Sequence, residues 1–159
     1  MSLFKGLILG GFVFFVSGFG ASAGSLDEAF IQSTSGMKAQ GARMKVIAQN
    51  IANSSSTGQT PGAEPYRRKI IIFKNKIDKK TGYNVVQVEN IKNDSKTPFN
   101  AKFSPSHPAA NEDGYVLLPN VSSSLESVDM KEAQRSYEAN LGAVETTKRM
   151  IGNTIELLR

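Results

Sequence analysis

Two stretches of apolar residues with helical spacing bracket a middle third whose apolar residues have the spacing of strands, and that change of period restricts how the chain can fold. From Leu26 the residues Leu26, Phe30, Ser33, Met37, Gln40, Met44, Ile47 and Ile51 follow alternating steps of four and three, which is the seam of a coiled coil. Ser33 and Gln40 interrupt the apolar face, and Gly36 and Gly41 lower the helix propensity, so this helix needs a partner. The run Asn53-Ser54-Ser55-Ser56-Thr57-Gly58, with Pro61, Gly62 and Pro65 behind it, ends the pattern, because these residues compete for backbone hydrogen bonds or cannot make them. Helical spacing returns at Val128, Ala133, Tyr137, Leu141, Val144, Ile151, Ile155 and Leu158, with Glu132, Arg135, Glu138, Glu145 and Arg149 on the opposite face. Tyr137, Leu141, Val144, Ile151, Ile155 and Leu158 are expected to pack against the N-terminal helix and a neighbouring subunit.

Between the helices the helical rhythm is lost. Lys69 to Phe73 and Asn84 to Val88 are short β-branched runs separated by Lys80-Thr81-Gly82, and Asp113-Gly114 is a turn signal before a third run, Tyr115 to Leu118. These read as strands of a small antiparallel sheet. Pro98, Pro105 and Pro108 give the stretch between the second and third runs the character of a loop. The fold class is therefore α+β: long N- and C-terminal helices pairing as a coiled-coil-like unit, with a small antiparallel β-rich insert between them. Its segments are a signal-like head at 1–23, an N-terminal helix at 24–57, the insert at 58–124 and a C-terminal helix at 125–159. Two long helices and a small insert leave apolar surface without cover in one molecule, which argues for self-association.

The head has the layout of a secretory signal: Lys5, the apolar run Leu7 to Val16, then Ala21-Ser22-Ala23 as a cleavage site. An uncleaved extension and a start assigned too far upstream are the other readings. The net charge of +5 is concentrated in one place. Arg67, Arg68, Lys69, Lys74, Lys76, Lys79 and Lys80 face only Asp78 among acids in that segment. Few aromatics are interleaved with them, which favours a solvated or subunit-facing strand edge over a nucleic-acid reader.

Catalysis finds little purchase. With no cysteine, disulfides, thiolate metal sites and cysteine nucleophiles are excluded. The single histidine, His107, lies between prolines with no second imidazole near it. Glu112 and Asp113 are adjacent in a turn, and no nucleophile elbow or phosphate-cradling loop occurs. No cofactor, metal or small-molecule substrate is expected. Asn50 and Asn53 stand where the first helix ends, where they either cap the backbone or meet another subunit. Asn140, in mid-helix beside the stripe, is expected to make an interhelical hydrogen bond worth about 1 kcal/mol.

Four segments carry a resemblance. Gly36-Met37-Lys38-Ala39-Gln40 with Arg43 to Asn53, the latter closing in Asn-Ile-Ala-Asn, resembles the N-terminal signature of bacterial flagellar rod and hook proteins. Pro61 to Lys69 and Gly114 to Val121 resemble segments of the proximal-rod subunit family called rod protein C. Met130 to Asn140, with its Arg-Ser-Tyr-x-Ala-Asn element, resembles that family's second helix. The resemblance implies a non-enzymatic subunit of the periplasm-spanning rod of the basal body. In such a rod the terminal helices of each subunit pair and pack on neighbours around a hollow export path, the insert lies outside, and torque passes to the hook. It implies as partners the other proximal and distal rod proteins and the adaptor joining rod to membrane ring. Members of that family are exported by the flagellum's own type III apparatus without a cleaved signal, from which the head departs. A secreted or surface adhesion module is the alternative, and it leaves both terminal seams unexplained.

Overall fold

The computed structural model describes residues 23–157, so the sequence readings at 1–22 and Leu158 lie outside the described residues. Six elements follow in order: α1 (Ala23–Ala52), β1 (Lys69–Ile77), β2 (Asn84–Asn93), β3 (Asn100–Phe103), β4 (Tyr115–Leu118) and α2 (Ser123–Leu157). The helices lie side by side and antiparallel: Gly36 of α1 meets Asn140 of α2, while Asn50 meets Glu126. At Gly36 the approach is so close that a Cβ would fall 2.9 Å from the Asn140 amide.

That proximity decides which residues form the seam. The buried and half-buried positions of α2 run Glu126, Met130, Ala133, Tyr137, Asn140, Val144, Thr147 and Ile151, with Asp129 and Ser136 beside them. Ala133 is wholly buried. The single stripe expected on α2 is thus divided. Tyr137, Val144 and Ile151 share the seam with polar and small residues, whereas Val128, Leu141 and Ile155 are exposed. Hydrophobicity alone does not choose an interface when the backbones come this close, since opposite Gly36 only a flat amide fits.

On α1 the expected stripe is likewise shared among several surfaces. Ile47 is buried with Ala39, Val46 and Asn50, whereas Leu26, Met37, Met44 and Ile51 are half-buried and Phe30 is exposed. Ala39 and Val46 fall on the side of α1 that meets the insert, where Val85 of β2 is buried as well.

The insert holds two separate two-stranded antiparallel sheets, β1 with β2 and β3 with β4. In the first, Lys69 pairs with Asn93 and Ile77 with Asn84, and the register slips between Ile72 and Phe73. The turn closing it needs Gly82, whose φ is 75°, in a region side chains avoid. The second sheet corrects the reading of 98–108 as loop throughout, because Asn100–Phe103 pairs with Tyr115–Leu118. Four residues between prolines give too short a pattern to reveal a strand; it exists because β4 offers it a partner. Among the described residues, the first sheet packs on α1 and the second packs on neither helix. No helix among the described residues is long and apolar enough to cross a membrane.

Candidate functional site: a polar junction between helices and insert

The end of α1, the entry to β1 and the start of α2 meet at a cluster of buried polar side chains. Asn50 is 1% exposed and uses both ends of its amide. Its Nδ2 donates to the Lys69 carbonyl at 2.9 Å and to Glu126 Oε2 at 3.1 Å. Its Oδ1 accepts from the Lys69 N–H at 2.9 Å and from the Tyr66 hydroxyl at 3.0 Å. A carbonyl and an N–H of the same residue bonded to one amide is the pairing of a β-ladder, so Asn50 extends the edge of β1 onto the helix.

Glu126 is equally buried, at 1% exposure. Its second oxygen is ion-paired to Arg68 Nε, and Arg68 Nη2 also lies 3.6 Å from Asp129 Oδ2. Arg43, about two turns before Asn50 on α1, approaches Asp129 at 3.9 Å and Glu132 at 3.8 Å. A buried carboxylate is costly unless paired and fully hydrogen-bonded. Here one partner comes from α1 and one from β1's approach, so Glu126 is satisfied only when all three segments are in place. Its position in the first turn of α2 adds the favourable end of the helix dipole. Burial first, and the Glu126 carboxylate second, raise the Tyr66 phenol above its ordinary 10.0.

A second amide does the same work on the far side. Asn120, 7% exposed, accepts from the Arg68 N–H at 2.7 Å and donates to the Asp94 and Thr97 carbonyls, each at 3.1 Å. The Asp94 N–H in turn donates to the Arg68 carbonyl at 2.7 Å. Hydrogen bonds from the Thr97 hydroxyl and backbone hold the Asp94 carboxyl below the usual carboxylate range. Arg67 stacks 4.1 Å from the Phe99 ring centroid. The exit of β2, the entry of β1 and the exit of β4 are thereby tied to one another.

Asn50 accordingly serves the inside of a single subunit, which neither of its sequence readings stated. Asn53 caps its own helix, its Nδ2 donating to the Gln49 carbonyl at 2.8 Å. Asn140 corrects an expectation. Its Nδ2 donates to the Ser136 carbonyl of the same helix at 2.8 Å, and across the seam it lies flat against Gly36. With no side chain opposite, the amide turns back to the carbonyl one turn earlier on its own helix. The basic segment is also partly neutralised: Arg68 is bound as above, Arg67 lies 3.7 Å from Glu64, and Lys74 is 2.9 Å from Glu89. His107 accepts from the Ala109 N–H at 3.1 Å within its own loop. Among the described residues no cluster of acids, histidines or cysteines is arranged to hold a metal ion.

Asn50, Tyr66, Arg68 and Asn120 all stand inside the segments quoted above for their resemblance, and the fold brings them to one point. Glu126 and Asp129 were missed. Ser123-x-x-Glu126 before a helical run has the form of a capping box, a signal that would have explained Glu126 as a cap and concealed its partners.

Comparison with known proteins finds relatives along most of the chain. The model of a family described as "Flagella basal body rod protein" matches residues 33–58, and that of "Flagellar basal body rod FlgEFG protein C-terminal" matches residues 112–157. The flagellar basal-body rod protein FlgC of Agrobacterium fabrum is 42% identical over 125 residues, covering 79% of this chain and 89% of the relative. That of Yersinia enterocolitica is 37% identical over 134 residues, covering 84% and 98%. That of Bacillus subtilis is 36% identical over 140 residues, covering 79% and 93%.

Proposed function

Since the chain belongs to the flagellar basal-body rod protein FlgC family, we propose that its helix pair and insert act as one rigid block, stacked with other rod proteins and with copies of itself. The protein is a structural subunit of the basal-body rod, which spans the periplasm. The relatives are rod proteins by name, which leaves the adhesion alternative without support.

The observation that carries the finer reading is the Asn50–Glu126–Arg68 junction. A shaft under torque loads its subunits sideways, and a subunit that hinged between helices and insert would absorb the twist. Buried, directional hydrogen bonds from three chain segments resist such a hinge in a way that apolar contact, which slides, does not. The same block leaves cover to be supplied by neighbours: Phe30, Leu141, Met150, Ile155 and Leu157 are exposed, and Leu26, Met37, Met44 and Ile51 are only half-buried. Those residues are the surfaces on which the reading places contacts with other rod subunits and with the adaptor to the membrane ring. The role so assigned is mechanical and not catalytic, and it involves no cofactor, small-molecule substrate or nucleic acid.

Purified hook-basal bodies, probed for the chain after detergent extraction, test the reading. The chain is expected to remain with the rod at constant stoichiometry. Its loss to the soluble fraction would refute it. Sequencing the N-terminus of the same material decides between a cleaved head at 1–23 and a retained one.

A further inference from the structure

The β3–β4 hairpin is the part of the molecule least explained by the block just described. Among the described residues it packs on neither helix, and a lone two-stranded sheet is marginal in water. It nevertheless displays Phe103, Tyr115 and Leu117 at 62%, 46% and 39% exposure. The two rings pack edge to face, 5.3 Å between centroids, so the apolar surface is preformed. Its free end is also fixed. Asn111 Oδ1 accepts from the Asp113 and Tyr115 N–H groups at 3.1 and 2.8 Å, and the Gly114 N–H donates to the Asn111 carbonyl at 3.0 Å. That turn presents Glu112 and Asp113, both exposed.

The β1–β2 hairpin has the opposite character at its end. The Asp78 carboxylate accepts from the Lys80 N–H at 2.8 Å, and the Gly82 N–H donates to the Asp78 carbonyl at 2.8 Å. Asp78 is thereby engaged in holding the turn, which leaves Lys79 and Lys80 exposed on it. Beside them Ile77 is 60% exposed, and farther along β2 Val88 and Ile91 are 37% and 47% exposed.

We infer that the β3–β4 hairpin of one copy docks on the β1–β2 hairpin of the next copy, the Glu112–Asp113 turn meeting the Lys79–Lys80 turn. The inference rests on the rod reading and names a contact within it. Charge complementarity identifies the occupant, because one chain carries both signs on two separate, rigid turns. A two-fold contact of either turn with itself would set like charges together. A head-to-tail contact sets opposite charges together and leaves a free turn of each kind at the ends, so it propagates. The charges fix the register, and burial of the Phe103–Tyr115 edge supplies the attraction.

Absence of native cysteine makes the test direct. A strain producing Lys80→Cys/Glu112→Cys as its only copy is treated with a mild oxidant, and its hook-basal bodies are purified. A ladder of cross-linked dimers and higher species is expected, with dimers at most from either single variant. Presence of the chain in basal bodies without a ladder, or with only an internally cross-linked monomer, overturns the inference and leaves the rod reading standing. Absence of the unsubstituted chain from basal bodies overturns both. Charge exchange gives a second measurement. Lys79→Glu/Lys80→Glu and Glu112→Lys/Asp113→Lys should each lower the yield of completed basal bodies by at least about threefold, and all four together should restore it. Failure of that restoration, with each variant present at normal cellular level, also overturns the inference.

Discussion

Replacing Asn50 by alanine is the most informative single perturbation, because it removes four hydrogen bonds and inserts no new group. Left behind in a buried site are the Lys69 N–H and carbonyl, the Tyr66 hydroxyl and one oxygen of Glu126. Three of these bonds are neutral, each worth about 0.5–1.5 kcal/mol net, and the one to the carboxylate is worth about 1.5–3. Tyr66 is only half-buried, so its hydroxyl can recover a water, and one more water can enter the vacated volume. The expected loss is therefore about 3–5 kcal/mol, a large part of the stability of a domain of this size. Urea denaturation of the purified protein followed by circular dichroism measures it, and amide exchange at Lys69 reports the site locally. Asn50→Asp should cost more, since a second carboxylate would stand 3.1 Å from Glu126 and the Lys69 carbonyl would face an acceptor. A loss below about 1 kcal/mol for Asn50→Ala, or Asn50→Asp milder than Asn50→Ala, would refute the account of the junction.

The Tyr66 phenol is raised by burial and by Glu126, so its contribution is fully present below pH 10 and is lost as pH rises through the folded-state value; Tyr66→Phe should flatten the fall in stability above pH 10. On α2, Ala133 is wholly buried at the seam and Leu141 is 37% exposed. Ala133→Leu should therefore destabilise the isolated protein by about 1–3 kcal/mol, while Leu141→Asp should cost it under about 1 kcal/mol yet block motility if a neighbour covers that position. Equal losses of stability for the two variants would show that the seam has been placed wrongly. Reversal of Lys74 and Lys76 to glutamate should leave rod assembly nearly intact, because among the described residues Lys74 pairs with Glu89 of its own hairpin. The unmodified protein should show no salt-dependent binding to duplex DNA near micromolar concentration, as a fluorescence anisotropy titration would reveal.

Much of this architecture is written into local pattern. The steps of three and four that run from Leu26 to Ile51 and return after Val128 define α1 and α2 to within a few residues, since helical amphipathicity is a property of neighbours in sequence. The starts of β1, β2 and β4 are legible in the same way, although β1 runs on to Ile77 and β2 to Asn93, past the apolar runs Lys69 to Phe73 and Asn84 to Val88. β3 had no pattern of its own and exists through its pairing with β4. The face of each helix that is covered was a tertiary decision. Hydrophobic spacing ranks Leu141 above Ala133, but with Gly36 against Asn140 the face turned to α1 is the one that carries Ala133, Asn140 and Thr147, shared with Tyr137, Val144 and Ile151. The polar junction was hidden most completely. Asn50, Tyr66, Arg68, Asn120 and Glu126 are ordinary surface residues when read singly, and up to 76 positions separate the partners of one hydrogen bond. A polar side chain can be buried only where partners from other segments complete its hydrogen bonds, and the chain reveals which partners those are only by folding.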